Sequence, residues 1–233
     1  MIAIRKSQER GYAEHGWLKA YHSFSFAEYY DPAHMHYSVL RVINEDRIAG
    51  GAGFGMHSHR DMEIVTFIIE GELRHQDSMG NTSVIRAGDV QRMTAGSGVR
   101  HSEVNSGDSE VHLLQIWIVP NQEGLTPSYE EKHFSAEQRA GRWCLLVSPN
   151  GHDDALTIHQ DVKIYTANLN IEQTLDIALA TDRCAYLQVV QGSVQLKGIN
   201  LEQGDAVMLE NESELKLVAE QEAAVVLFDL PKL

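Results

Sequence analysis

One short pattern occurs twice along this chain, in the same order in each half. In the first half an apolar run over residues 64–70 ends at Gly71, and Ile85-Arg-Ala-Gly-Asp-Val90 follows. In the second half a similar run over residues 185–191 ends at Gly192, and Leu201-Glu-Gln-Gly-Asp-Ala206 follows. A single Gly-Asp pair suits any tight turn before a strand. Both features in the same order predict two copies of one structural unit.

The repeated unit is expected to consist of β-strands. Short apolar runs rich in β-branched residues recur between Gly, Asn and Asp, which is typical of barrels and sandwiches. These runs cover residues 38–43, 63–69, 82–85, 111–119, 143–147, 162–169, 185–190, 215–218 and 224–228. One brief helix is predicted at residues 135–140, because Ser135-Ala-Glu-Gln has the form of a helix cap. We therefore expect an all-β chain of two jelly-roll barrels with few short helices.

The predicted domain bounds follow from the repeat. An N-terminal barrel is expected at residues 1–120 and a C-terminal barrel at residues 143–233. Residues 121–142 are expected to link them, because this part of the chain begins in a polar stretch that contains Pro127 and has no apolar run.

Charge and composition limit the partners of the chain. The formal net charge of −14 repels nucleic acid and anionic membrane, so binding to either through a basic face is not expected. No run approaches the roughly 18 apolar residues of a membrane helix, and the N-terminus lacks the apolar region of a signal peptide. Cys144 and Cys184 have no metal-ligand spacing and are expected to be buried or half-buried thiols. We expect a monomer in the cytoplasm.

Two triplets carry the residues with metal-binding side chains. They are His57-Ser58-His59 and His101-Ser102-Glu103. On a strand, side chains at i and i+2 point to the same face. If the two strands face one another across a barrel, three imidazoles and one carboxylate converge. Such a set suits one divalent transition metal, and Fe, Cu, Zn, Mn and Ni are all compatible with it.

The second repeat serves as an internal comparison for these four residues. Counting without gaps from the shared Gly and Gly-Asp features places four apolar residues at the equivalent positions. They are Ala178, Ala180, Leu217 and Ala219. Histidines that only packed a barrel would have little reason to be absent from the second copy. The metal site is therefore expected in the first barrel alone.

Five motifs in sequence order resemble those of the pirin family of the cupin superfamily. They are His22-Ser-Phe-Ser-Phe26, Tyr29-Tyr-Asp-Pro32, His57-Ser-His-Arg-Asp-Met-Glu63, Glu70-Gly-Glu-Leu-Arg-His-Gln-Asp77 and Met93-Thr-Ala-Gly-Ser-Gly-Val-Arg-His-Ser-Glu103. The resemblance is strong over the first 120 residues and weaker beyond them. The chain departs from the common cupin pattern at Thr94, where a proline is usual, and in a longer spacing to His101.

The resemblance implies a bicupin fold, a ligand set and an activity. The ligands implied are His57, His59, His101 and Glu103. The activity implied is that of a quercetin 2,3-dioxygenase, which cleaves a flavonol with O2 and releases carbon monoxide, with Glu103 as both ligand and general base. Two alternatives remain open, namely a non-enzymatic metal-dependent regulator and a cupin enzyme with another physiological substrate.

Several other residues have two interpretations. Glu63 is an alternative ligand, because a strand that continued through it would place it on the face of His57 and His59. His34 and His36 either line the barrel mouth or lie in solvated loops. A group of aromatic residues either forms walls for a flat ligand or packs the core, and it comprises Phe24, Phe26, Tyr29 and Tyr30. The remaining histidines considered are expected to be structural or exposed, and they are His75, His112, His133, His152 and His159.

Overall fold

The computed structural model describes residues 1–233, and nearly all of its regular structure is β-strand. The strands are β1 (Ile2–Arg5), β2 (Gly11–Glu14), β3 (Leu18–His22), β4 (Leu40–Ile48), β5 (Gly53–His59), β6 (Glu63–Glu70), β7 (Glu72–Asp77), β8 (Thr82–Arg86), β9 (Asp89–Thr94), β10 (Val99–Val104), β11 (Val111–Ile118), β12 (Ser128–His133), β13 (Cys144–Ser148), β14 (Leu156–Thr157), β15 (Lys163–Leu169), β16 (Thr174–Ala178), β17 (Arg183–Gln191), β18 (Ser193–Leu196), β19 (Ile199–Glu202), β20 (Ala206–Glu210), β21 (Glu214–Ala219) and β22 (Ala223–Pro231). The all-β prediction is confirmed.

Helices are few and short. The α-helix α1 spans Ala136–Arg139, and two 3-10 turns span Ser7–Glu9 and His152–Asp154. The predicted capped helix is confirmed, because the Ser135 hydroxyl accepts from the backbone N–H of Gln138 and the Gln138 side chain accepts from that of Ser135. No helix has the length and hydrophobicity that crossing a lipid bilayer requires.

The chain divides into two compact units. The N-terminal barrel comprises residues 11–134 and 156–160, and the C-terminal barrel comprises residues 1–10, 135–155 and 161–233. Strand β12 lies inside the predicted linker and pairs with β9, so the first unit extends beyond residue 120. The predicted domains with bounds at 120 and 143 stay a prediction.

Each barrel is built from two antiparallel sheets. In the N-terminal barrel the strand orders are β12-β9-β6-β11-β4-β3-β2 and β5-β10-β7-β8. In the C-terminal barrel they are β1-β20-β17-β22-β15-β13 and β16-β21-β18-β19. Four central strands of each large sheet and all four strands of each small sheet correspond in order. The structure therefore contains the internal repeat that the sequence predicts.

The shared glycines have the same role in both barrels. Gly71 separates β6 from β7, Gly192 separates β17 from β18, and both have left-handed backbone φ values of 79° and 69°. An added Cβ would lie 2.9 Å from the Glu110 carbonyl oxygen at the first and 1.9 Å from that of Glu222 at the second. Glycine is the residue that tolerates both the φ and the close approach.

The strand pairing establishes which residues of the two barrels are equivalent. His75 and Leu196 stand at the same distance from Gly71 and Gly192. His75 pairs with Glu103, and Leu196 pairs with Leu217. Leu217 is therefore the equivalent of Glu103, whereas counting without gaps assigned it to His101.

The same strand register also changes which residues are equivalent to His57, His59 and His101, by one or two positions from the gapless count. His101 pairs with His57 in the first barrel, and Leu215 pairs with Ile177 in the second. The equivalents of the four candidate ligands are thus Ile177, Leu179, Leu215 and Leu217, and the assignments to Ala178, Ala180 and Ala219 are wrong. The gapless count failed because the intervening segments differ in length. The chain is one residue longer from Ile177 to Gly192 than from His57 to Gly71, and it is two residues shorter from Gly204 to Leu215 than from Gly88 to His101.

The corrected positions face the interior of the C-terminal barrel. Leu179, Leu215 and Leu217 belong to its continuous apolar core, and Ile177 packs against it. Ala178 and Ala180 are exposed, as expected when a strand slips by one residue and its faces exchange. The first barrel therefore has polar, metal-capable side chains where the second has apolar core residues.

Candidate metal centre

Strands β5 and β10 carry the two triplets, and they are neighbours in one sheet. His57 lies directly opposite His101 in the antiparallel ladder. The two strands therefore do not face one another across the barrel, which was the arrangement considered from the sequence. The histidines meet instead as cross-strand and diagonal neighbours on one face, a spacing that brings side chains into contact.

Three imidazoles converge on this face. The ring centroids lie 4.8 Å apart for His57 and His59, 4.4 Å for His57 and His101, and 4.8 Å for His59 and His101. One nitrogen from each ring lies within 4.8 Å of the others. His101 is buried, while His57 and His59 are half-buried toward a cavity. This group is open enough to take a ligand from one side.

The hydrogen bonds of these histidines leave nitrogens available for a metal. His57 donates from Nδ1 to the Gly55 carbonyl at 2.8 Å, which leaves its Nε2 as the free electron-pair donor. Both ring nitrogens of His101 are buried without a hydrogen-bond partner. An unpaired buried polar group costs about 1–3 kcal/mol, and a metal ion would supply the missing partner. The donor set therefore fits a divalent transition metal.

His59 and His101 are held in the neutral form that binds metals. Burial, followed by the neighbouring His101 and His57, lowers the pKa of His59 to about 4. Burial, followed by His57 and His75, lowers the pKa of His101 to about 3. Neutral imidazole is the ligand form, so metal binding here need not displace a proton from these rings near neutral pH.

Glu103 is buried beside His101 and is fixed by two donors. Its Oε2 accepts from Gln115 Nε2 at 2.8 Å, and its Oε1 is 3.4 Å from the donating Thr66 hydroxyl. A carboxylate oxygen of Glu103 lies within 4.8 Å of nitrogens of His101 and His75. The structure thus brings Glu103 close to His101. His101 belongs both to the group of three histidines and to a second group with Glu103 and His75.

His75 is the member of this region that the sequence reasoning missed. It is fully buried, its ring centroid is 5.4 Å from that of His101, and it stacks on Tyr129. Its Nε2 donates to Asp77 at 3.2 Å, and its Nδ1 has no partner. The available signal was the period of two in β7, because Leu73, His75 and Asp77 are all buried on one face.

The side chain of Asp77 places an ionised carboxylate beside His75. Burial alone would raise the pKa of Asp77, but hydrogen bonds from Asn81, His75 and the backbone of Met79 lower it below its usual value. An ionised Asp77 favours the His75 tautomer that carries its proton on Nε2. Nδ1 of His75 is then an unprotonated nitrogen without a hydrogen-bond partner.

Glu63 has other partners. Strand β5 ends at His59 and β6 begins at Glu63, so no continuous strand places these residues on one face. The Glu63 carboxylate accepts from the Thr94 hydroxyl at 3.1 Å and from His159 Nδ1 at 3.2 Å. Glu63 belongs to neither group of converging ligand atoms.

A cavity of about 990 Å³ adjoins the histidines in the N-terminal barrel. His57, His59 and Glu103 lie in its wall. Aromatic side chains form much of the remainder, namely Trp17, Phe26, Tyr29, Phe54 and Trp117. Four aromatic residues were expected either to form walls for a flat ligand or to pack the core. Phe26 and Tyr29 line the cavity, whereas Phe24 is buried and Tyr30 is exposed.

The two loop histidines do not line this cavity. His34 Nδ1 donates to Asp31 at 2.7 Å, and the exposed His36 donates to the Ser38 carbonyl at 3.0 Å. Both side chains therefore stabilise their own loop.

Two β-barrels of one topology, with converging histidines in the first, define a bicupin with a candidate metal centre. Comparison with family models refines this class. The Pirin model matches residues 3–118, and the model of the quercetinase C-terminal cupin domain matches residues 145–230. The chain belongs to the pirin family.

Relatives match over the whole length of the chain. It is 47% identical to the quercetin 2,3-dioxygenase of Escherichia coli K12, over 99% of each protein. The crystal structure of YhhW from Escherichia coli superposes with a TM-score of 0.96 at 44% identity, covering 100% of this chain and 99% of that one. A structure of bacterial pirin YhhW in complex with nickel(II) gives a TM-score of 0.95 at 43% identity, with complete coverage of both chains.

Proposed function

We propose that this chain is a metal-dependent quercetin 2,3-dioxygenase. The observation that carries the proposal is the cluster of three imidazoles beside an aromatic cavity, next to a buried carboxyl group. A flat polyhydroxylated aromatic compound matches such a cavity in shape and polarity. The name of the 47% identical relative supports the same reaction.

The metal ligands proposed are His57, His59, His101 and Glu103. Nitrogen and oxygen donors without a thiolate suit Fe, Cu, Zn, Mn or Ni, and the nickel(II) complex of YhhW supports a metal of this series. When bound, the metal supplies Lewis acidity that stabilises a deprotonated flavonol hydroxyl and directs its reaction with O2.

Glu103 is proposed to accept the proton of the flavonol 3-hydroxyl at a carboxylate oxygen. Gln115 and Thr66 donate to this carboxylate and fix its position for the transfer. The two oxygen atoms of O2 enter the cleaved product, a depside, and one ring carbon leaves as carbon monoxide. The aromatic walls hold the flavonol plane against the histidines and exclude water around the proton transfer.

The partners proposed are a flavonol such as quercetin and O2. Neither nucleic acid nor membrane is included, because a net charge of −14 opposes both. The C-terminal barrel is proposed to stabilise the chain without holding a metal, since apolar residues occupy its four equivalent positions. A cytoplasmic monomer is the form we propose to act.

The experiment is turnover of quercetin in air by protein loaded with each of the five metals. Loss of flavonol absorbance and release of carbon monoxide are measured for wild type, His57→Ala, Glu103→Ala and His36→Ala. We expect wild type and the His36→Ala control to turn over quercetin, and the other two variants to lose most of that activity. Absence of turnover with every metal would contradict the proposed reaction, and full activity of both site variants would contradict the ligand set.

A further inference from the structure

Asp46 is a buried acidic residue in the wall of the cavity. It lies on β4 with only 3% of its surface exposed, on the cavity side of the strand together with Asn44. Its Oδ1 has no hydrogen-bond partner. The proposed reaction gives this carboxyl group no role.

Leaving this group unpaired is costly in the protein without ligand. Burial raises the pKa of Asp46 to about 8, and the nearby carboxylates of Glu103 and Glu45 contribute to the increase. Buried polar atoms are nearly always hydrogen-bonded, and an exception in a cavity wall points to a partner that binds there.

Two polar side chains of the same wall make hydrogen bonds to residues other than Asp46. Asn44 Oδ1 accepts from His22 Nδ1 at 2.8 Å, and the Gln115 amide bonds both Glu103 and Trp117. The rest of the wall is largely aromatic and apolar. Among the buried oxygens of this wall, Oδ1 of Asp46 is therefore the one without a hydrogen-bond partner.

A phenolic hydroxyl fits this position in either protonation state of Asp46. A phenol both donates and accepts a hydrogen bond, so it can pair with a carboxylate or with a neutral carboxylic acid. A ligand without such a hydroxyl would leave the buried oxygen unpaired, and a site of this kind discriminates strongly against it.

We propose that Asp46 is a specificity-determining residue that binds a phenolic hydroxyl of the substrate other than the hydroxyl held at the histidines. The inference rests on the proposed function and narrows the substrate class to flavonols with further ring hydroxyls.

The test compares quercetin with 3-hydroxyflavone, which keeps only the 3-hydroxyl. Dissociation constants are measured by fluorescence quenching without oxygen for the metal-loaded wild type, Asp46→Val, Asp46→Asn and Glu45→Gln. Glu45→Gln is the matched control, because it makes the same change from carboxyl to amide at the adjacent residue, whose side chain bonds His112.

Wild type and Glu45→Gln are expected to bind quercetin roughly tenfold more tightly than 3-hydroxyflavone, from one hydrogen bond to a buried group. Asp46→Val should lose most of this preference, and Asp46→Asn should retain much of it, since an amide also pairs with a phenol. An unchanged preference in Asp46→Val would overturn the inference while leaving the proposed function intact. Failure of wild type to turn over either flavonol in air would instead contradict the proposed function on which the inference rests.

Discussion

At the scale of single residues, His75 is expected to control metal affinity without touching the metal. Asp77 fixes the tautomer of His75, and the buried ring of His75 packs against that of His101 at a centroid distance of 5.4 Å, which limits how the His101 ring can turn. Such a partner of a ligand typically contributes 10–100-fold in affinity. We predict that His75→Phe weakens Ni(II) binding by about this factor, as measured by competition with a chelator. An affinity equal to that of wild type would show that His75 only packs the barrel.

Asp46 gives a prediction about pH at the same scale. Its pKa is raised to about 8 in the folded protein, so the folded state holds a proton that the unfolded chain releases above about pH 4. Stability therefore falls as pH rises between these two values. In metal-free protein, Asp46→Asn should gain roughly 3 kcal/mol over wild type between about pH 5.5 and 8. Urea unfolding at both pH values measures this gain, and a pH-independent difference would contradict the protonation of Asp46.

At the scale of elements, the polar side chains of β10 are expected to lower the stability of the metal-free protein while they provide metal ligands. Its counterpart β21 has Leu215 and Leu217 in the positions of His101 and Glu103, and both leucines are completely buried. In metal-free protein, His101 has no hydrogen-bond partner and Glu103 is a buried carboxyl group near Asp46, and replacing such groups by apolar ones of similar size is often stabilising. We predict that the double variant His101→Leu/Glu103→Leu unfolds at a higher temperature than metal-free wild type and binds no Ni(II). A lower unfolding temperature would contradict the view that these residues are kept for the metal.

The same strands show which part of the site the sequence could predict. The i, i+2 spacing was sufficient to place His57 with His59 and to identify the barrel that carries them. The register shift in β5 was not predictable, because Gly55 and Met56 carry no pattern that marks an extra residue. His75 was missed because its contact with His101 depends on the pairing of β7 with β10, which no local pattern encodes.

At the scale of the whole molecule, the repeat predicted the architecture well. Two Gly-Asp features and two glycines after apolar runs were enough to predict two barrels of one topology, because a glycine with left-handed φ is required at each strand junction. The predicted helix followed from its cap. The division into compact units was harder to predict, since residues 1–10 belong with the second unit and their sequence carries no sign of that pairing.

Metal binding should also be visible in the stability of the whole chain. A ligand at 100 times its dissociation constant stabilises the folded state by about 2.7 kcal/mol. Adding Ni(II) to metal-free wild type should therefore raise the unfolding midpoint by a few degrees, whereas the His57→Ala variant should gain much less. Equal shifts in both proteins would place the bound metal elsewhere.

The most direct test of the account is anomalous X-ray scattering from crystals grown with Ni(II). We predict one strong peak per chain, in the N-terminal barrel, with His57, His59, His101 and Glu103 each at about 2.1 Å. The C-terminal barrel should show no peak beside Leu215 and Leu217. A chain with no peak at the three histidines, or with the metal held by other residues, would contradict the central claim.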